Sequence, residues 1–291
     1  MNYIIFDLEW NNAYNYATKT GTNEIIEIGA VKLNESFEIV DTFKQLIKPQ
    51  LSKKLTGRFK NLTKITNEEI AEFGIPFKQA ISDFRRWSSG NENVFMSWSN
   101  TDLYVLTSNF LNFLGGAPVD FIDYYCDAQK YCMSFIPEEL NKNNNQIGLS
   151  KCAELFNIVV DTDNLHRALS DCYVTAECLK KVYDKDKLKQ FVSKCNQNFF
   201  ERLLFKPYLI TDIESSKFNV NELELLCPRC NGDLLFASAV EVRNKAFTFA
   251  AKCSECNRKF WATVRAKQTY DEIVVTKRFV EMNKRKANKI K

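Results

Sequence analysis

Residues 3–10 read Tyr3-Ile4-Ile5-Phe6-Asp7-Leu8-Glu9-Trp10. An apolar run passing into alternating acidic and apolar residues describes a buried strand whose carboxylates emerge at its end. Side chains two apart on a strand leave the same face, so Asp7 and Glu9 share one side while Phe6, Leu8 and Trp10 share the other. Adjacent carboxylates on a sheet rim repel each other and are costly to desolvate unless cations compensate. A strand end emerging into water also accounts for such a pair, so the rest of the chain has to decide between the two.

Working outward, Glu24–Leu33 reads as a second strand and Phe37–Ile47 as a third, stopped by Pro49. Short connections favour an antiparallel meander. The polar, Tyr-bearing segment Asn11–Asn23 between the first two strands is expected to be a loop. Helical signals come next along the chain. Thr66-x-x-Glu69 is a capping pattern, Pro76 opens a helix with Phe77, Ala80, Ile81, Phe84 and Trp87 on one face and Gly90 at its end, and Asn100-Thr101-Asp102 caps another closed by Gly115-Gly116. Val94–Trp98 is a short buried strand and Phe121-Ile122 begins a further one. An Asn-rich loop at 141–145, a short helix capped by Ser150 and a helix from about Leu165 to Tyr183 complete the region. Three meandering strands followed by alternating helices and strands describe a mixed α/β domain over residues 1–185. A helical connector is expected over 186–220, a cysteine-bearing module over 221–270 and a basic tail over 271–291. From Lys277 onward that tail carries seven Lys/Arg against one acid, Glu281, and its end is expected to be disordered.

Composition sets outer limits. The chain has 291 residues, 45% of them hydrophobic, with 23 Phe and 11 Tyr, which is ample core material for one large domain and a smaller one. Its net charge of +4 is too small for a polycation, so any affinity for nucleic acid must come from local patches. No stretch approaches the ~18 apolar residues of a membrane span, and no signal-like run opens the chain. These features are read as those of a cytoplasmic protein that does not enter membranes. Six of the ten cysteines, Cys126, Cys132, Cys152, Cys172, Cys178 and Cys195, lack paired spacing and read as buried reduced thiols.

Further acids join the first pair. Asp102 stands in the first turn of its helix, where the helix N-terminus favours an anion, although an ordinary cap would look the same. Asp171 lies in the last helix of the domain among small and apolar residues, and His166, the sole histidine, stands five positions before it. The order and contexts of Phe6-Asp7-Leu8-Glu9, Ser97-Trp98-Ser99-Asn100-Thr101-Asp102 and His166-x-x-x-x-Asp171 resemble the DEDDh branch of the DnaQ-like 3′–5′ exonuclease superfamily. The likeness spans residues 2–183 and is greatest to the subgroup of histone-mRNA and RNA-interference-associated exonucleases and their bacterial relatives. It implies a ribonuclease H-like exonuclease fold, a mixed sheet flanked by helices. It also implies that Asp7, Glu9, Asp102 and Asp171 hold two Mg²⁺ or Mn²⁺ ions, hard cations that prefer carboxylate oxygens. His166 would then serve as general base, since a free imidazole titrates near 6.5. Leu62-Thr63-Lys64-Ile65-Thr66 looks like the family's loop that approaches the terminal nucleotide. Leu8, Ile65, Thr66 and Trp98 are the substrate contacts this likeness implies.

The other four cysteines form two pairs, Cys227-Pro-Arg-Cys230 and Cys253-Ser-Glu-Cys256. Two C-x-x-C units with strand-like segments between them read as a zinc ribbon holding one structural Zn²⁺. A redox dithiol would need a βαβ setting and only one pair. Basic residues Arg229, Arg243, Lys245, Lys252, Arg258, Lys259 and Arg265, interleaved with Phe260 and Trp261, suggest contact with nucleic acid or protein. A purely stabilising role for the ribbon stands equally open.

The resulting expectation is a metal-dependent 3′–5′ exonuclease acting on single-stranded 3′ ends and releasing nucleoside 5′-monophosphates, with RNA ahead of DNA. A repair or proofreading DNA exonuclease is the alternative within the enzyme class, and a catalytically silent nucleic-acid-binding protein is the alternative outside it. Nothing in the sequence names a protein partner.

Overall fold

In the computed structural model, which describes residues 2–90, 92–140, 146–160 and 166–283, the opening strand is longer than its apolar run. β1 extends over Asn2–Asn15 and pairs antiparallel with β2 (Thr20–Leu33), which pairs antiparallel with β3 (Ile39–Leu46). The segment Asn11–Asn23 is therefore mostly hairpin arms, with Asn11 opposite Glu24 and Asn15 opposite Thr20, instead of a loop. Its polarity hid the strands because most of the hairpin's outer part is exposed, so no alternation marks it. The Asn15 carboxamide closes the turn by accepting from the N–H groups of Ala17 and Thr18.

β4 (Asn93–Ser97) lies parallel to β1, β5 (Tyr124–Asp127) parallel to β4, and β6 (Val192–Lys194) antiparallel to β5. Among the described residues this gives a mixed sheet of order β3-β2-β1-β4-β5-β6. Its two faces carry separate cores, following the period of 2 in β1. Tyr3 and Ile5 face the side of α5 (Ala128–Met133), α6 (Leu149–Leu155), α7 (Ala168–Lys181) and α8 (Lys185–Phe191). Ile4, Phe6 and Leu8 face the side of α3 (Phe77–Ser88), α4 (Thr101–Phe113) and α9 (Gln197–Leu204). Ile4 and Phe6 are 0% exposed and Ile5 1%, and burying each such side chain stabilises the fold by ~1.5–3 kcal/mol. That burial fixes which face Asp7 and Glu9 must take.

A smaller cluster packs α1 (Gly57–Thr63) and α2 (Asn67–Phe73) against β2 through Ile26, Phe59, Ile65 and Ile70. Some element ends differ from expectation. β5 begins at Tyr124, after Ile122 is already buried in the core, and α6 starts from Gly148 with Ser150 inside it. α7 starts at Ala168, with Arg167 as its N-cap residue. Leu165, the Asn-rich stretch 141–145 and residues 284–291 of the tail lie outside the described residues. The five cysteines Cys126, Cys132, Cys152, Cys172 and Cys178 are buried and free, and Cys195 is half-buried and free.

The chain divides into two units, Met1–Leu204 and Phe205–Lys291. Residues 186–204 thus belong with the first unit, carrying α8, β6 and α9. The second unit has its own core, built on a sheet of order β12-β11-β10-β8 from β8 (Leu234–Phe236), β10 (Ala246–Cys253), β11 (Lys259–Gln268) and β12 (Ile273–Glu281). β7 (Tyr208–Ile210) adds to β11, and β9 (Glu241–Arg243) adds to β10. Residues 273–281, expected as tail, pair with β11 along their whole length. Glu281, the lone acid there, accepts from Arg229 at 3.0 Å and from Arg258 at 2.5 Å. Among the described residues no helix is long and apolar enough to cross a membrane.

Candidate active site

Asp7 lies opposite Gly29 in the β1–β2 register, and Glu9 lies opposite Glu27. The side of the sheet that Asp7 and Glu9 share receives the first turn of α7. Gly29 makes that approach possible. A Cβ built there would stand 2.2 Å from the Leu169 amide nitrogen, so any larger residue would push the helix off the sheet. The approach places Asp171 beside the strand pair. Carboxylate oxygens of Asp7, Glu9 and Asp171 lie within 4.8 Å of one another, in a geometry that suits a shared metal ion.

Asp102 comes from the opposite side of the sheet, at the N-terminus of α4. It is 4% exposed, and its Oδ1 accepts the Leu8 N–H at 3.1 Å, which ties the start of α4 to β1 between the two motif acids. Asp102 stands outside the three-carboxylate cluster but lines the same cleft, which has a volume of about 470 Å³. Leu8, Trp98, Phe59, Leu62 and Arg58 also line it.

Electrostatics oppose four ionised acids in this arrangement. Burial, and then the charges of Asp102, Glu9 and Asp171, hold the Asp7 carboxyl well above the usual carboxylate range. Burial, followed by Asp171 and Glu27, pushes Glu9 up to about 9. Burial pushes Asp102 up to about 7 despite the Leu8 N–H. Asp171 is also raised by burial, offset in part by the charge and backbone N–H of His166. Carboxyls held this far up around one cleft are a donor set suited to divalent cations, whose charge would add to the partial compensation from Arg167 and His166.

His166 is exposed, stands just outside α7 with φ 68°, and does not line the cleft. Its two successors in the chain are tightly held. Arg167 donates from Nη2 to Glu27 Oε1 at 2.8 Å, from Nε to Glu27 Oε2 at 3.2 Å, and from Nη2 to Glu69 at 3.1 Å. The Ala168 N–H donates to the same Glu27, which is 0% exposed. A buried glutamate on β2 therefore clamps the start of the helix that delivers Asp171. The capping pattern at Thr66 is accordingly only half formed. Thr66 accepts the Glu69 N–H at 3.1 Å, while the Glu69 carboxylate turns to Arg167.

Glu27→Ala leaves the half-buried Arg167 without its main partner, so unfolding in urea should show a loss of about 3 kcal/mol. Hydrolysis should fall along with it because Asp171 loses its anchor. Unchanged stability would mean that the clamp is not what seats α7.

The expected substrate contacts divide. Leu8 and Trp98 line the cleft, with Trp98 Nε1 donating to the Ile147 carbonyl at 3.2 Å. Ile65 is 0% exposed in the small α1–α2 cluster, and Thr66 caps α2, so neither lies at the cleft. α1 supplies that wall instead, through Arg58, Phe59 and Leu62. The segment before α1 is pinned by Glu24, which accepts the N–H groups of Gln50, Leu51 and Ser52, and by Asn11, which accepts the N–H of Thr56. Reading of the sequence missed Gly29, Glu27, Arg167 and Arg58. A lone glycine and a lone acid within an apolar strand were the only signals for the first two.

In the second unit the four sulfurs of Cys227, Cys230, Cys253 and Cys256 lie within 4.8 Å of one another. Cys227 and Cys256 sulfurs are 3.8 Å apart, and those of Cys230 and Cys253 are 3.5 Å apart. The Arg229 N–H points at the Cys227 sulfur and the Cys256 N–H at that of Cys253, and the four sulfurs form a set that could hold Zn²⁺.

The RNase_T exonuclease family model matches residues 4–179. Over 179 residues the chain is 30% identical to the probable 3′–5′ exonuclease KapD of Bacillus subtilis strain 168, covering 62% of this chain and 81% of that protein. A solved full-length 3′-exonuclease shares the fold with TM-score 0.54 and 17% identity, over 67% of this chain and 91% of its own. The nuclease domain of 3′hExo, a DEDDh family member bound to rAMP, does so with TM-score 0.52 and 19% identity, over 62% of this chain and 90% of its own.

Proposed function

The chain belongs to the RNase_T exonuclease family, and from that premise we propose that it is a two-metal-ion 3′–5′ exonuclease that trims single-stranded RNA to nucleoside 5′-monophosphates. The observation that carries the reading is the meeting of Asp7, Glu9 and Asp171 within 4.8 Å, in a cleft that Asp102 also lines. Asp7, Glu9, Asp102 and Asp171 would hold Mg²⁺ or Mn²⁺. Bound there, such cations neutralise the carboxylates and stabilise the charge that develops on the phosphate and the leaving 3′ oxygen.

The remaining roles belong to the chain's own residues. Leu8 and Trp98 would hold the terminal nucleotide on one side, facing Phe59 and Leu62 across the cleft. Arg58, at the same rim, would pair with a backbone phosphate. His166 would take the proton of the attacking water. Its exposure and its place just outside α7 leave the imidazole free to swing to the cleft when a substrate is present. RNA is placed ahead of DNA on the motif resemblance alone. The four-cysteine cluster would hold one Zn²⁺ as a structural ion.

The test is end-labelled RNA and DNA oligomers, single- and double-stranded, incubated with Mg²⁺ or Mn²⁺. Stepwise shortening from the 3′ end with release of 5′-monophosphates is expected, fastest on single-stranded RNA. A faster rate on DNA reverses the substrate assignment, and internal cleavage sinks the exonuclease reading. In the same assay His166→Ala should be slower by a factor on the order of 10²–10⁴ and should lose the acid limb of its pH–rate profile. Its Mg²⁺-induced rise in Tm should match that of the parent. If that rise disappears, His166 is a ligand and not a base.

A further inference from the structure

The sheet of the second unit buries one face and leaves the other open. Phe247, Phe249, Phe260, Ala262 and Val264 alternate into the core. Phe260, grouped with Trp261 as a possible contact residue in the sequence, is thus unavailable at 1% exposed, whereas Trp261 is 43% exposed. Residues paired across neighbouring strands point to the same side, and Trp261 pairs with Val280, Thr263 with Arg278 and with Thr248. Arg265, two further along β11, joins that side. These residues, with Arg243 at the edge, line a shallow depression of about 520 Å³ floored by threonine and alanine.

Charge on this face is mostly positive, since its one acid opposite β10, Glu241 across from Thr248, is taken up by Arg243. Among the described residues no acid lines the depression. Arg265 and Arg278 are exposed and have no ion-pair partner among the described residues, while Arg243 pairs with Glu241 at 2.5 Å. Two other arginines of the unit, Arg229 and Arg258, are instead occupied by Glu281. Among the described residues, the unit's arginines without an ion pair therefore gather where an indole ring is exposed. An open aromatic face flanked by guanidinium groups stacks an unpaired base and neutralises the phosphates beside it, and a duplex, whose bases are already stacked, cannot use it.

We propose that the open face of β10, β11 and β12, centred on Trp261, Arg265 and Arg278, is a second binding site for single-stranded nucleic acid, separate from the residues of the catalytic cleft. It rests on the reading of the chain as a nuclease of single strands. The site is sequence-tolerant, because stacking and phosphate pairing read no base edge.

The experiment measures fluorescence anisotropy of a labelled single-stranded 20-nucleotide oligouridylate with the full-length Asp7→Asn chain, which preserves the probe. Arg265→Glu/Arg278→Glu in that background should bind at least tenfold more weakly. Its salt slope should be shallower by about 1.4, the value for two lost phosphate contacts on a single strand. Trp261→Ala should weaken binding about tenfold, and Trp261→Phe, which keeps a stacking ring, should stay near the parent. Equal zinc content in every variant confirms that the unit is folded. With Asp7 intact, the double arginine variant should raise KM on the 20-mer and leave kcat unchanged. Unchanged affinity and salt slope in the double variant overturn the proposal. Absence of hydrolysis by the native chain, with the affinity difference intact, sinks the nuclease reading and leaves the binding face standing.

Discussion

Asp7→Asn is expected to slow hydrolysis by at least about 10³, the effect of losing ~4 kcal/mol of charge stabilisation at the reacting phosphate, and yet to stabilise the protein when Mg²⁺ is withheld. Both effects follow from one geometry. Asn keeps the shape of Asp7 and removes a carboxylate that is set against the charges of Asp102, Glu9 and Asp171. The sign of the pH dependence is fixed by the direction of the shifts. A carboxyl whose folded pKa is raised binds more protons in the native state than in the unfolded chain. Its contribution is full below the unfolded value of about 4 and is lost as pH rises through the folded value, about 7 for Asp102 and about 9 for Glu9. In Mg²⁺-free buffer the Tm of the native chain should therefore fall between about pH 4 and pH 9, and Asp7→Asn should flatten that fall. Mg²⁺ should raise the Tm of the native chain at pH 8 and raise that of the variant much less. A variant that remains active, or whose Tm follows pH as steeply as the parent's, would remove Asp7 from the centre of the site.

The second large effect concerns the four-cysteine cluster. Cys227→Ser/Cys253→Ser removes one thiolate from each C-x-x-C unit, so bound zinc should drop from one per chain to none. Structural zinc contributes ~10–16 kcal/mol in the smallest zinc domains. The unit has an apolar core of its own around Phe247, Phe249 and Phe260, so the loss here should be partial. The segments that carry the cluster are the turns Cys227–Cys230 and Cys253–Cys256. Through Arg229 in the first turn, and Arg258 just past the second, they also anchor the end of β12. Calorimetry should show the transition of the second unit moving down or vanishing, while the Mg²⁺-responsive transition of the first unit stays in place. Limited proteolysis should cut first within 225–260. A zinc-free variant with an unshifted second transition would show that the cysteines hold nothing the fold requires.

The division between legible and hidden residues follows the range of the forces involved. The apolar run in β1 could be read because burial on alternating faces imposes a period of 2 on the sequence itself. The α3 stripe of Phe77, Ala80, Ile81 and Phe84 was likewise plain from helical spacing. The hairpin arms Asn11–Asn15 and Thr20–Asn23 were hidden because a mostly exposed ribbon leaves no such mark. β12 was hidden for a related reason. Its Lys277 and Arg278 look like tail until β11 is there to pair with them. Ile65 illustrates the converse error, since a motif position resembling a substrate contact proved to be core.

Sequence alone determined which residue types the protein brings to its chemistry: four acids in strand and helix contexts, one histidine, and two cysteine pairs at metal-binding spacing. These are local properties, set by chain neighbours and by the chemistry of each side chain. Tertiary structure alone decided how they meet. Asp171 reaches Asp7 and Glu9 because Gly29 has no side chain to hold α7 away, and because Glu27, buried on β2, grips Arg167 across 140 residues of chain. Neither relation leaves a trace in local pattern, because each is a contact between distant segments whose physical cause, a missing Cβ or a compensated buried charge, exists only once the sheet and helix are packed.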